Sequence, residues 1–352
     1  MNTKIKQFGS FLKEGKKKKP PIRLMVVSAD TGSTTPYITA GRFKDECDKK
    51  NIDCFIVHIE ECILTKDDDT GVTTISNYSD KGKNDWVVDE NTIAIIRGSA
   101  AGKDSFMDLV SQLEKMNVPC VNTRETVNIC ADKYWTSIKL RDANVTQPRT
   151  ALVRSQAMVA TAMESIDLEY PFILKTLRGS KGVGVMFIES ERSLNALISM
   201  LYKLDKDVEL LVQQFIESDG DIRVQVLGDE IIGAMKRMQI KKDFRSNYSQ
   251  GAEVKKYKLT DEEKVLVMNA HKSVNGHWTA VDFIHDTKGN PYILEVNSSP
   301  GTEGFEDATD INIAKTVIEH LEERANWRRT PTQIGKFEQI YIEGVGRIVS
   351  NF

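Results

Sequence analysis

Long apolar runs are missing from this chain. No stretch of the 352 residues approaches ~18 consecutive apolar residues, so no membrane-spanning helix and no membrane partner are expected. The opening residues, MNTKIKQFGSFLKEGKKKKPP, carry charge but no apolar core segment and do not read as a secretory signal. Cysteine is scarce: the five (Cys47, Cys54, Cys62, Cys120, Cys130) are odd in number and form no CxxC pair. That argues against a disulfide framework or zinc knuckle and for a reducing cytoplasm. Excess charge of one sign is missing too. Lys plus Arg number 48 against 51 Asp plus Glu, a balance of −3, which excludes a surface that is a nucleic-acid trap throughout. No specific nucleic-acid partner is expected. The five histidines (His58, His271, His277, His285, His320) show no ligand spacing, so structural or surface roles are expected. No internal repeat occurs, and the only low-complexity feature is the Lys16–Lys19 run. A Walker A loop is also absent. Its nearest imitation, Gly98 to Asp104, has one residue too few between its glycines and no Ser or Thr after Lys103.

What is present is ordinary globular composition, 40% hydrophobic and 28% charged, at a length that suggests roughly two to three domains. Residues 1–21 read as a solvated basic arm. Ordered structure is expected from Ile22. Leu24 to Val27, Cys54 to Ile59, Thr92 to Arg97 and Val118 to Asn122 are short apolar runs that read as strands. Helical stretches at about 36–50 and 106–116 alternate with them, which gives a βαβ first unit at about 22–125. Asp30-Thr31-Gly32 follows the first strand and reads as a plain loop. A single helix is expected over 126–144, with Ile129, Tyr134, Trp135, Ile138 and Leu140 on one broad face. It opens an α+β unit at about 126–212, with strands at 172–177, 185–188 and 210–215 and a helix at 193–204. A third unit, about 213–325, holds a hairpin turning at Gly228-Asp229, a helix at 262–274, a hairpin at 279–297 and a last helix at 311–326. Residues 326–352 form a tail.

The stretch WTAVDFIHDTKGNPYILEVNSSPG, residues 278–301, is the richest in chemistry. Symmetry about Thr287–Asn290 puts Asp282 directly across from Glu295, at a Cβ separation of about 4.5–5.5 Å, with Asn297 on the same face. Two adjacent carboxylates repel unless a cation lies between them, and a hard cation such as Mg²⁺ suits this oxygen set. A solvated polar face is the alternative; the same symmetry puts Ile284 and Ile293 on that face, which argues against it. A second stretch, Lys175 to Val185, joins two strands through Gly179, Gly182 and Gly184 with lysines on either side. Such a loop can cradle phosphate oxygens, or it can be an ordinary flexible hairpin loop. Third, alternation over Asp221 to Val226 places Asp221, Arg223 and Gln225 on one face. Arg223 there suits a carboxylate or phosphate, with Lys236, Arg237 and Arg245-Ser246-Asn247 as further polar groups nearby; a half-exposed structural strand is the alternative.

Taken together, Gly220-Asp221-Ile222-Arg223, Lys242 to Asn247, Ala280-Val281-Asp282 and Leu294 to Gly301 with Glu303-Gly304 resemble the ATP-grasp superfamily, and within it the RimK-type carboxylate–amine ligases. The resemblance extends over about 22–325. It implies an α/β N-terminal (pre-ATP-grasp) domain followed by an ATP-grasp fold of two α+β subdomains, with ATP between those two. It implies phosphate contacts from Lys133 and Lys175 and from the glycine loop with Gly182. An adenine hinge at Gln214-Phe215-Ile216, a ribose or nucleotide contact at Asp221, and a phosphate segment at Arg245, Ser246 and Asn247 follow as well. Asp282, Glu295 and Asn297 match the ligands of Mg²⁺ (or Mn²⁺), two ions in all. Arg223, Lys175 and Asn297 are the implied catalytic residues. The implied chemistry is activation of a carboxylate as acyl phosphate and capture by the amine of an amino acid, glutamate first. The implied acceptor is a protein or peptide C-terminus, such as a ribosomal protein; homo-oligomers are common in the family. Two other readings remain: a ligase making a small peptide-like metabolite, and a non-catalytic nucleotide-binding module. The sequence departs from the family at Gln214, often Glu, and at Tyr248 to Ala252, where a more basic segment is usual. Ile334 to Ile342 resembles the opening strand of a retropepsin-like domain, but no catalytic triplet follows before Phe352, so no protease activity is expected.

Overall fold

The computed structural model describes residues 22–28, 37–80, 85–98, 104–177, 184–238 and 253–324. The basic arm, the glycine loop with Gly182, the segment carrying Arg245, Ser246 and Asn247, and the tail lie outside the described residues.

The N-terminal region is an alternating β/α unit. Strand β1 (Arg23–Ser28) leads to helix α1 (Tyr37–Lys50) and β2 (Asp53–His58); β6 (Thr92–Arg97), α2 (Asp104–Lys115) and β7 (Cys120–Val121) complete it. Their sheet runs in the order β2-β1-β6-β7 and every pair is parallel. β1 and β6 are almost wholly buried, as continuous Val/Ile runs in a covered parallel sheet must be. Between β2 and β6 the chain makes a small antiparallel sheet, β3 (Cys62–Lys66), β4 (Thr73–Asn77) and β5 (Trp86–Val88). Its Ile75 and Trp86 enter the core under the parallel sheet.

Residues 126–144 form two helices. Helix α3 (Arg124–Ala131) stops at Asp132, and α4 (Lys133–Asp142) starts there. Asp132 has extended backbone, and its carboxylate accepts from the N–H groups of Tyr134 and Trp135 at 2.9 Å each. A side-chain cap satisfies donors that a continuous helix would have left to its own backbone. The break turns α4, so that Trp135 is exposed while Ile129 and Leu140 stay in the core.

The next sheet contains β8 (Thr150–Val153), β9 (Phe172–Thr176), β10 (Val185–Ile188) and β11 (Leu210–Gln214), in the order β10-β9-β11-β8, all antiparallel. Helices α5 (Val159–Ser165) and α6 (Glu191–Leu204) cover it, and their apolar faces form one core with it. Strand β11 runs through residue 212, where the sequence places the limit of this unit.

The last sheet comprises β12 (Gly220–Leu227), β13 (Glu230–Met238), β14 (Val254–Lys256), β15 (Trp278–His285) and β16 (Pro291–Asn297), in the order β14-β13-β12-β15-β16. Helix α7 (Asp261–Ser273) begins with a reciprocal cap between Thr260 and Glu263 and packs on this sheet. Ile222, Val224 and Val226 share a core with Val281, Phe283, Ile293 and Val296. Helices α8 (Glu303–Thr309) and α9 (Ile313–Arg324) turn back to the N-terminal sheet, where Ile313, Val317 and Leu321 join Phe43, Ile93 and Trp278 in one cluster. Lys50 of α1 pairs with Glu319 and Glu322 of α9, and Arg42 with Glu306. One core thus ties the first residues of the fold to the last.

The hairpin of β15 and β16 places Asp282 opposite Glu295, as symmetry predicts. Beyond that pair the register shifts: Phe283 faces Ile293 and Leu294 is the extra residue. Ile293 therefore points into the core with Phe283, away from the carboxylates, and the pairing of Ile284 with Ile293 expected from symmetry does not occur.

Candidate active site

Three charged groups from three elements converge on one cleft. Lys133 is the first residue of α4, fixed there by the Asp132 cap. Lys175 lies near the end of β9, between Val185 and Leu211 on its neighbours. Glu295 comes from β16. The cleft they line is completed by Cys130, Gln147 and Gln213. Burial pushes the Lys175 ammonium down to about 8; Glu295 opposes that shift and Lys133 adds to it. Burial lowers Lys133 too, with Glu295 and Asp132 opposing. Two half-enclosed lysines against one carboxylate leave a cleft that favours an anion.

Beside Glu295 lies a network of four charges. Arg223 of β12 grips Asp282 in a fork, Nε to Oδ1 at 2.8 Å and Nη2 to Oδ2 at 2.6 Å. Arg237 of β13 donates to Asp282 Oδ2 at 2.9 Å and, through Nε, to Asp221 Oδ1 at 2.9 Å. Strand pairing dictates this: Asp221 lies opposite Arg237, and Arg223 opposite Asp282. Burial raises the Asp282 pKa, but the two arginines outweigh it and hold the carboxyl at about 2. Arg237 is buried, which by itself lowers its pKa; Asp282 and Asp221 more than offset that and raise it.

Two of the expected site residues are already engaged. Asp221 is 5% exposed and its carboxylate accepts from Arg237. Arg223 is half-buried, and two of its nitrogens serve Asp282. Arg237, read from the sequence only as a nearby cation, is the centre of the network. Counting about Gly228-Asp229 would put Lys236 opposite Asp221; the register shift between Gln225 and Val226 brings Arg237 there instead, which the sequence did not signal.

The oxygen set for a divalent cation can be tested on this geometry. Glu295 and Asp282 are opposed across the hairpin, and Asn297 lies two residues beyond Glu295. The Asn297 side-chain nitrogen is buried without a hydrogen-bond partner among the described residues. Which end of an amide is nitrogen is assigned from its partners, so a cation ligated by the oxygen at that position resolves the orphan. Carboxylate and amide oxygens are hard donors of the kind Mg²⁺ takes together with phosphates. Glu295 and Asn297 fit fully; Asp282 retains acceptor capacity beyond its three arginine contacts.

Gln214 closes β11, and its side-chain oxygen accepts from Arg149 N–H and Nε at 3.4 Å. Phe215 meets Phe187 of β10 edge to face, centroids 4.9 Å apart. Gln214, Phe215 and Ile216 are half-buried, with backbone leaving the sheet after Gln214. Such a segment can offer main-chain groups to a flat base.

Comparison with known proteins follows the same lines. A family model described as a RimK-like ATP-grasp domain matches residues 130–321. A Teredinibacter turnerae protein named "Probable alpha-L-glutamate ligase" is 33% identical over 227 residues, covering 64% of this chain and 74% of its own. Among solved structures, a RimK domain ATP-grasp protein from Sphaerobacter thermophilus superposes with a TM-score of 0.62 at 18% identity, over 84% of this chain and 98% of its own. The ATP-grasp ligase PsnB, complexed with a variant of its minimal precursor, Mg and ADP, gives 0.65 at 17% identity, over 86% and 99%. At these identities the structural likeness speaks for the fold.

Proposed function

Since the chain belongs to the RimK-like ATP-grasp family, and is therefore an ATP-dependent ligase that forms C–N bonds, we propose that it joins an amino acid, glutamate first, to the carboxyl terminus of a protein or peptide. The observation that carries this reading is the convergence of Lys133, Lys175 and Glu295 on one cleft beside the Arg223–Asp282 pair. The glutamate ligase name of the sequence relative and the precursor peptide in a further PsnB complex support the choice of amino acid and peptide. A ribosomal protein is one acceptor of this chemistry. Residues 22–125 form the N-terminal α/β domain in this reading, and the two following sheets form the ATP-grasp subdomains.

The reaction has two steps. The acceptor carboxylate takes the γ-phosphoryl group of ATP, ADP leaves, and an acyl phosphate results. The amine nitrogen then attacks the acyl carbon, inorganic phosphate leaves, and a proton passes to solvent. Lys133 and Lys175 hold the phosphates and offset their charge. Arg223, fixed by Asp282, stabilises negative charge on the acyl phosphate or on the tetrahedral intermediate through the terminal nitrogen that Asp282 does not use. Glu295 and Asn297, with Asp282, would hold Mg²⁺, which Mn²⁺ can replace, and in the family's usual pattern two ions. The metal supplies charge neutralisation on the transferring group. The hinge at Gln214 to Ile216 receives adenine.

The test is ADP release from ATP and Mg²⁺ with each amino acid alone, then with a peptide ending in an acidic residue, for the natural chain and Glu295→Gln. Glutamate plus peptide should stimulate release, the peptide should gain mass in glutamate steps, and Glu295→Gln should abolish both. Stimulation by a small carboxylate with no peptide gain would instead favour synthesis of a peptide-like metabolite.

A further inference from the structure

The loop directly after Asn297 is held by side chains that come from the N-terminal sheet and from β12. Asn122 Nδ2 donates to the Ser298 carbonyl at 2.7 Å. Arg97 Nη2 donates to the Pro300 carbonyl at 2.7 Å. Gln225 Nε2 donates to the Gly301 carbonyl at 3.1 Å. The Gly98 N–H donates to Ser299 Oγ at 2.9 Å. Thus residues 298–301 are each tied to a partner far away in sequence.

The three clamping side chains share a second partner, Trp278. Asn122 donates to the Trp278 carbonyl at 2.6 Å and accepts from its N–H at 3.0 Å and from the His277 N–H at 2.7 Å. Gln225 Oε1 accepts from Trp278 Nε1 at 3.0 Å. The Arg97 guanidinium lies over the indole, 4.7 Å from its centroid. Trp278 is itself locked edge to face against Phe43 of α1. Asn122, Gln225 and Trp278 are all essentially without exposure, and Arg97 is buried. Asn122 uses both donors and both acceptor positions of its amide, so its orientation is fully determined.

We infer that Asn122, Gln225, Arg97 and Trp278 are positioning residues for the metal- and phosphate-binding end of β16. They work by pinning the 298–301 backbone, which fixes Asn297 and, through the strand, Glu295. A ligand carboxylate or amide is effective only when its angle is set by what holds it, and partners behind metal ligands commonly control affinity by ~10–100-fold. The N-terminal sheet would in this way contribute to metal binding through Asn122 and Arg97. The inference rests on the reading of Glu295 and Asn297 as metal ligands, and the experiment separates the two.

The probe is Mn²⁺, followed by electron paramagnetic resonance in the presence of a non-hydrolysable ATP analogue. The natural chain is compared with Asn122→Ala, Gln225→Met, Glu295→Gln and Asn297→Ala. Thermal unfolding and near-ultraviolet circular dichroism show that each variant is folded. Asn122→Ala and Gln225→Met should bind Mn²⁺ about tenfold more weakly, with native spectra. Where Asn122→Ala does not fold, Gln225→Met, which removes one clamp and keeps volume, decides. If Glu295→Gln and Asn297→Ala weaken Mn²⁺ while both clamp variants, or the folded one alone, bind it like the natural chain, the positioning inference is overturned and the metal reading stands. If Glu295→Gln and Asn297→Ala leave Mn²⁺ binding unchanged, the metal reading fails and the inference falls with it.

Discussion

Asp221→Asn distinguishes a nucleotide contact from a structural anchor. Asp221 and Arg237 are 5% and 6% exposed, and Arg237 reaches Asp221 Oδ1 at 2.9 Å while also holding Asp282 at 2.9 Å. Removing one member of a buried pair leaves its partner's charge poorly compensated, at a cost of ~3–5 kcal/mol. Here Arg237 keeps Asp282, so the lower end applies, about 3 kcal/mol. That is roughly a hundredfold change in the folded-to-unfolded ratio and a fall of several degrees in Tm. The cycle with Arg237→Met sharpens the test: the double variant should be less destabilised than the sum of the single ones, with a coupling of about 2 kcal/mol. Urea unfolding followed by circular dichroism gives the stabilities, and calorimetric binding of a non-hydrolysable ATP analogue gives affinity. The expected result is lower stability with nucleotide affinity within about twofold of the natural chain. A tenfold loss of affinity with unchanged unfolding would refute the anchor and return Asp221 to the ribose.

Two further outcomes follow from the same physics. Lys175→Met should weaken nucleotide binding by ~10–100-fold, the ~1.5–3 kcal/mol typical of a hydrogen bond to a charged group, measured by the same calorimetry; unchanged affinity would remove Lys175 from the phosphate site. His271 is buried with Nδ1 2.8 Å from Thr279 Oγ1, and burial pushes its pKa down to about 4. Above about pH 6.5 both folded and unfolded chains hold it neutral and its stabilising effect is complete. As pH falls from there toward about 4 only the unfolded chain takes up the proton, so stability drops by about 3 kcal/mol. Urea midpoints between pH 7.5 and 4.5 should show this slope and lose it in His271→Gln; an equal slope in the variant would place the acid sensitivity elsewhere.

Much of this fold is legible wherever a segment carries its own pattern. β1, β2 and β6 are continuous apolar runs and form strands as read. The hairpins turning at Gly228-Asp229 and Thr287–Asn290 announce themselves by turn residues, and the second puts Asp282 opposite Glu295. What failed lacked local signal. β4 reads Thr-Thr-Ile-Ser-Asn, with one strongly apolar residue, so its buried alternation is invisible until Ile75 is seen in the core. The break between α3 and α4 depends on Asp132 choosing to cap, a competition that periodicity does not record. The bulge at Leu294 comes from packing Ile293 beside Phe283, a tertiary demand that a symmetric hairpin does not foresee. Asn122 carries no motif at all; only the fold brings it to Trp278 and Ser298.

Charge arithmetic explains why the site still has room for a cation after so many basic residues. Arg223 and Arg237 are balanced by Asp221 and Asp282, two positive charges against two negative, and all four are locked together. That network is neutral overall, and within it the terminal Arg223 nitrogen that Asp282 does not use is the donor left for an anion. Among the described residues, what faces the cleft is Lys133 and Lys175 against Glu295, a surplus of one positive charge. A triphosphate brings several negative charges into this partly desolvated space, where each unbalanced one is costly. One surplus lysine charge does not match them. In the proposed reading a divalent cation held by Glu295 and Asn297 would supply the difference, and it would account for the Asn297 amide nitrogen that is buried without a partner among the described residues. In that reading the two arginines fix where Asp221 and Asp282 stand, and the nucleotide's own metal would complete the balance of the cleft beside them.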